Sequence, residues 1–192
     1  MGDTNHNGDI RHLRGKILVA TPSISGGYLD KSMIYICSHS RDGAMGLVIN
    51  KRVPEINISD VLKMMNPPLK DIPTIDIYFG GAEEINRCFV LHSDDYMFSG
   101  SVTVSDHFAF NPNGDIIEVI TSPVGPEKKL LCMGCCIWDM EQLENEVASS
   151  YWIPIDPDEA LIFGDPSADK WSKALMKIGS GTNLFSNVQG NA

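Results

Sequence analysis

Ser32-Met33-Ile34-Tyr35-Ile36-Cys37 and Met45-Gly46-Leu47-Val48-Ile49 flank the turn Arg41-Asp42-Gly43, and the fold is read outward from this stretch. Two apolar runs on either side of Asp-Gly predict an antiparallel hairpin, because Asp-Gly accepts the positive φ of a tight turn. Upstream, Lys16-Ile17-Leu18-Val19-Ala20 is a buried-strand run closed by Thr21-Pro22, and Ser25-Gly26-Gly27 is a turn. Downstream, strand signals return at Ile75–Phe79 and at Cys88–Leu91, with Gly80-Gly81 opening the link between them. Ala160-Leu161-Ile162-Phe163 reads as a final strand. Ser59-Asp60 caps a short helix over Val61–Met65, stopped by Asn66-Pro67-Pro68. Met140 to Tyr151 is a helix with Leu143 and Val147 on one seam, and Glu144 and Glu146 pointing away from much of it. Ser167 caps a last helix, Ala168 to Ile178, with Trp171, Leu175 and Ile178 as its stripe and Gly179 as its stop. Ile116–Ile120 reads either way, since β-branching favours strand and Asn113-Gly114-Asp115 ahead of it caps a helix. Strands and helices without βαβ alternation predict an α+β fold with a largely antiparallel sheet. Residues 1–12 read as a loose arm, 13–179 as one domain and 180–192 as a loose tail.

The chain has 192 residues, 43% of them hydrophobic, which is enough apolar material for a core. No apolar run approaches the ~20 residues of a membrane span. The start, Met1-Gly2-Asp3-Thr4-Asn5-His6, lacks a basic region followed by an apolar stretch, so a cytoplasmic location is expected. The formal net charge is −10, and its excess is concentrated. Asp139, Glu141, Glu144, Glu146, Asp156, Asp158, Glu159, Asp165 and Asp169 lie between Leu130 and Asp169, with no Lys or Arg among them. Such a segment repels the phosphate backbone, so nucleic-acid binding is disfavoured. It is either a solvated surface or a docking face for a basic partner.

Five cysteines, Cys37, Cys88, Cys132, Cys135 and Cys136, read as small buried hydrophobes. Their number is odd, and Cys132-Met133-Gly134-Cys135 has no second pair to complete a structural zinc site. His39 and His92 each follow an apolar strand, and the bland reading of each is a strand-end histidine bonded to a loop. The sharper reading brings both rings to one pocket near Asn50 and Gly80-Gly81, with Trp138 among its walls. A metal there would need a carboxylate such as Asp42 or Asp94 as third donor, so no metal and no cofactor are expected. Gly80-Gly81 lacks the lysine and further glycines of a phosphate loop and reads as a close backbone approach or a positive φ. Trp138, Trp152 and Trp171 read as packing anchors.

Taken together these segments resemble the AlgH/YqgE family of bacterial proteins. The resemblance runs from about Leu13 to Gly179. Its carriers are Gly15–Pro22, Ser32–His39, Asp42–Asn50, Phe79-Gly80-Gly81, Phe89–Ser93, Trp138 with Gln142-Leu143-Glu144, and Trp152 before Leu161-Ile162-Phe163. Where the family usually reads Gly-Tyr-Ala-Gly-Trp-Gly-Pro-Gly-Gln-Leu-Glu, this chain has Gly134-Cys135-Cys136-Ile137-Trp138-Asp139-Met140-Glu141-Gln142-Leu143-Glu144. Three glycine positions have thus become Ile137, Asp139 and Glu141, and Cys88 replaces a further family glycine. A ligand site shaped by that turn in relatives is expected to be altered here. The resemblance implies a bent sheet closing into a pseudo-barrel flanked by helices, and it supports Ile116–Ile120 as helix. It implies no enzyme activity or cofactor. Some members carry the label of transcriptional regulator, which neither the charge nor any helix-turn-helix pattern supports here.

The leading expectation is therefore a non-enzymatic cytoplasmic binding or interaction domain. Its ligand is an unidentified small molecule or protein partner, met through the acidic stretch 130–169. The alternatives are a regulator by family label and a hydrolase-like enzyme using His39 and His92.

Overall fold

The computed structural model describes residues 13–54, 75–113, 124–164 and 169–181. The arm at 1–12, the helix at 59–65, the 116–120 segment, the Ser167 cap and tail residues 182–192 lie outside the described residues. Among the described residues nine strands form one sheet, β1 (Ile17–Ala20), β2 (Met33–Ser40), β3 (Gly43–Val48), β4 (Ile77–Phe79), β5 (Glu83–Ser93), β6 (Val102–Ser105), β7 (Phe108–Asn111), β8 (Lys129–Trp138) and β9 (Trp152–Ile155). Three helices accompany it among the described residues, α1 (Gln142–Ala148), α2 (Glu159–Phe163) and α3 (Lys170–Gly181). The strand order is β6-β7-β5-β8-β3-β2-β1-β9, and every pairing is antiparallel except that of β4 with β8. The fold is α+β, as expected.

The Asp42-Gly43 hairpin forms as predicted, with Ser40 facing Gly43 and Ile34 facing Val48. β1 and β2 read as unbroken apolar runs because both of their faces are covered. Ile17, Val19, Met33, Tyr35 and Cys37 enter one core with Phe89, Phe108 and Phe110, against α2 and α3. Leu18, Ala20, Ile34 and Ile36 enter a second core with Trp138, Trp152 and Leu143 of α1.

β8 organises the bend. Its first half, Leu131–Met133, is flanked by β4 and β5, whereas Cys136–Trp138 pairs with β3. Gly134 sits between the halves with φ 72°. The sheet itself is open, since neither β6 nor β9 has a second strand partner among the described residues. The pseudo-barrel is approached through side chains instead of a ladder. Arg14 Nη2 donates to Thr103 O at 2.6 Å, and Tyr35 Oη lies 2.9 Å from Ser105 Oγ. Pro154, which has no N–H to offer, suits β9 to an edge.

Several elements differ from the sequence reading. Residues 159–163 are helix, not strand, because Asp158 accepts hydrogen bonds from the Ala160 and Leu161 amides and caps a turn. α1 is shorter than 140–151, ending where Ser150 takes a left-handed φ of 61°. α3 runs past Gly179 to Gly181. β5 begins at Glu83, five residues before its apolar part, and β6, β7 and β9 are further strands, each four residues long, beyond those the sequence reading contains. Cys37, Cys132, Cys135 and Cys136 are buried as expected, and Cys88 is half-buried.

Candidate functional site

His39 lies on β2 beyond a register shift between Ile36 and Ser38, which re-aims the end of the strand. The Leu13 amide donates to its Nδ1 at 3.1 Å, and its Nε2 lies 3.0 Å from Glu144 Oε1. A backbone donor at Nδ1 leaves the ring proton on Nε2, which donates to the carboxylate. Beside it the rings of Trp138 and Trp152 meet edge to face at 6.4 Å. Both indole N–H groups donate to Glu146 Oε2, at 2.9 and 2.8 Å, while Gln142 Nε2 donates to Oε1 at 2.9 Å. Glu144 and Glu146 therefore face inward, which corrects the expectation that they point away from the seam.

His92 lies on β5 and is fully buried. Its Nδ1 donates to the Ser93 carbonyl at 2.8 Å, so Nε2 is left as an acceptor, and Ser101 Oγ lies 2.9 Å from it. Phe98 covers the ring with centroids 4.6 Å apart. Asn111 Nδ2 donates to Ser99 O at 3.0 Å and to Ser101 Oγ at 3.2 Å. Burial holds the His92 pKa below its ordinary 6.5, against the opposing pull of the Ser93 carbonyl and the Asp95 and Asp94 charges. The unfolded chain then binds this proton more readily than the folded one. His92 is thus uncompromised in stability above pH ~6.5, and stability is lost as pH falls below that value. Between pH ~7.5 and ~5.5 the urea midpoint should fall less in His92→Gln than in the unaltered protein. Equal slopes would show that the ring is not the group responsible.

The six sequence candidates do not form one pocket. His39 is aligned with Ala44 and through it with Trp138, at the last residue of β8, whereas His92 is aligned with Lys129 at the first. The two histidines therefore occupy opposite ends of that strand. Asn50 is spent on backbone, accepting from Met33 N and donating to Lys31 O, both at 2.8 Å. Gly80 and Gly81 meet the backbone of Gly134 and Cys135 in the middle of β8. His39 and Trp138 share a neighbourhood under α1, while Asn50 lies alongside Gly80, where Val48 N donates to Gly80 O and Phe79 N to Lys51 O, both at 2.8 Å. Sequence reasoning missed Ser101, Asn111, Glu144 and Glu146, because their partners are set by the packing of loop, helix and sheet and no local motif marks them.

Burial pushes all five thiols up, Cys135 to about 11 and Cys88 and Cys136 to about 12, so none is a ready thiolate. Among the described residues no three His, Cys, Asp or Glu side chains are placed to hold a metal ion, and no helix is long and apolar enough to cross a membrane. Of the acidic stretch, Asp156, Asp158 and Glu159 pair with Lys16, Lys177 and Lys128. Asp139 and Glu141 are exposed. They adjoin a cleft of about 430 Å³ lined by Met140, Glu141, Gln142, Asn145, Glu146, Ser149 and Tyr151.

Glu141 at the mouth of this cleft has φ 61°, a left-handed conformation that disfavours any side chain. It stands where the resembled family has glycine, and the backbone explains that glycine. Glu141→Gly should raise stability by about 1 kcal/mol, read as a higher urea midpoint. A lower midpoint would mean that the Glu141 side chain makes a compensating contact.

A family model described as AlgH-like matches residues 17–183. The chain is 35% identical over 202 residues to a UPF0301 protein of Bradyrhizobium sp. (strain BTAi1), covering all of this chain and 92% of that one. It is 36% identical over 182 residues to a UPF0301 protein of Cereibacter sphaeroides, covering 94% and 99%. The solution structure of the AlgH protein from Pseudomonas aeruginosa superposes with a TM-score of 0.75 at 28% identity, over the full length of both chains. A crystal structure of a Corynebacterium diphtheriae protein gives 0.67 at 19% identity over 85% and 86%, a likeness of fold alone.

Proposed function

The chain belongs to the AlgH-like family, and from that premise we propose that it is a cytoplasmic interaction domain that docks a protein partner beside α1. The observation carrying this reading is the cleft along α1. Its rim exposes Met140 by 63% and Tyr151 by 44%, and its lining holds two carboxylates and no cation. Exposed apolar side chains set among acids favour one kind of occupant, an apolar segment bearing Lys or Arg. Exposed Asp139, next to Met140, extends the same charge preference beyond the lining. Phosphate backbones are repelled by that charge, so direct DNA regulation is not part of the proposal.

Native mass spectrometry of the protein purified gently from its own cells tests it. A stoichiometric protein partner is expected, and it should be lost from a Met140→Ser, Glu141→Lys variant whose thermal unfolding is unchanged. Glu146 is left intact because it holds both tryptophans. A partner retained by the variant, or a bare monomer, overturns the reading. A discrete adduct of small-molecule mass would replace it with a ligand-binding one.

A further inference from the structure

At the far end of β8 from the docking cleft, the His92 neighbourhood carries an inference beyond that reading. We propose that Ser101 is a nucleophile toward carboxylic esters, with His92 as its general base and Asn111 as an amide donor beside the reacting oxygen. The argument is geometric. A serine hydroxyl is activated when a base of fixed tautomer accepts its proton and a third group orients that base. Here the Ser93 carbonyl takes the Nδ1 proton at 2.8 Å, and the free Nε2 lies 2.9 Å from Ser101 Oγ.

The orienting carbonyl is itself held. Ser93 N donates to Lys128 O at 2.9 Å, and the Lys128 amide returns a bond to Ser93 Oγ at 3.0 Å. Asn111 is anchored by accepting from Asn113 N at 3.0 Å and donating to Ser99 O at 3.0 Å, which leaves its Nδ2 3.2 Å from Ser101 Oγ. The base is dry and the nucleophile is not. His92 has no solvent exposure, whereas Ser101 is half-buried. Gly100, just before it, has φ 83°, and a Cβ there would lie 3.5–3.8 Å from the Asn111 and Asn113 amides, so these amides line the backbone beside the hydroxyl. Burial keeps the ring neutral near pH 7, and the carboxylates of Asp95 and Asp94 favour the imidazolium once it forms.

In the reaction, Ser101 Oγ bonds to the ester carbonyl carbon as its proton passes to His92 Nε2. The carbonyl π pair moves to oxygen, and the Asn111 Nδ2–H that lies on Ser101 Oγ is the donor that turns to the developing charge as Oγ is acylated. Collapse of that intermediate expels the alkoxide, which takes the proton from Nε2 and leaves as the alcohol. Water, giving its proton to Nε2, then attacks the acyl carbon, and collapse of this second intermediate breaks the bond to Oγ, which takes the proton back from Nε2 as the carboxylic acid leaves.

The full chain, incubated with an alkyl fluorophosphonate and analysed by intact mass and peptide mapping, tests the proposal. One adduct is expected, on Ser101, absent in Ser101→Ala and formed about 100-fold more slowly in His92→Gln. In the unaltered protein the labelling rate should hold near neutral pH and fall on acidification as His92 takes a proton. That profile serves in place of His92→Gln if the variant does not fold. No adduct, an adduct elsewhere, or a Ser101 adduct with a pH-independent rate would overturn the assignment and leave the pair as a loop fastener. The Met140→Ser, Glu141→Lys variant should label at the unaltered rate, so this proposal and the docking one fail separately.

Discussion

Glu146→Ala is expected to cost about 2–5 kcal/mol of folding stability, a large share of the ~5–15 kcal/mol that holds a typical domain together. Trp138 is 5% exposed and Trp152 2%, and both indoles donate to the same Glu146 oxygen. Removing that oxygen strands two buried N–H groups at about 1–3 kcal/mol each, while the truncated side chain offers no substitute acceptor. Glu146→Gln keeps an amide oxygen for the indoles, and Gln142 can turn its own amide to suit, so about 1 kcal/mol is expected there. The ordering Ala well below Gln in urea midpoint separates a buried acceptor from a mere surface charge. Equal midpoints for the two variants would mean that water reaches the indoles. The same geometry explains why the acidic stretch is not a uniform docking surface. Two of its carboxylates are internal ligands of ring N–H groups, and three more are paired with lysines across the fold.

What is legible in this sequence is what local chemistry decides. The 33–48 hairpin follows from Asp42-Gly43 and its apolar flanks, and the buried cysteines follow from their place in apolar runs. The 159–163 helix turns on one cap, because the Asp158 carboxylate outweighs the strand propensity of a short apolar run. The site is harder. His39 and His92 look alike in sequence, each closing an apolar strand before polar residues, yet register sends them to opposite ends of β8. His92 meets Ser101 nine residues on, across the loop that enters β6, while His39 becomes a clasp between Leu13 and α1, with Glu144 105 residues away. Pairings of that separation leave no trace in spacing.

Gly134→Ala is the second large effect expected, at about 3–5 kcal/mol, enough to leave much of the protein unfolded. Two causes add. With φ 72° the position is left-handed, which costs a side chain about 1–2 kcal/mol. A Cβ there would also fall inside 3.0 Å of Gly81 O and Glu83 O, backbone atoms that cannot swing aside. Gly80 and Gly81 make the reciprocal approach, each bringing its own missing Cβ against Gly134 or Cys135. Two chain segments thus touch backbone to backbone where β8 leaves β4 and joins β3. A Gly80-Gly81 pair that reads in sequence as a close approach is one, and its partner is Gly134. Gly26→Ala isolates the first cause, since φ there is 74° and nothing lies within 4 Å of the added atom. That variant should lose only about 1–2 kcal/mol. If Gly134→Ala loses no more than Gly26→Ala, the crossing yields to the added methyl. The bend in β8 would then be plastic, and the opposite ends it keeps apart would not be rigidly placed.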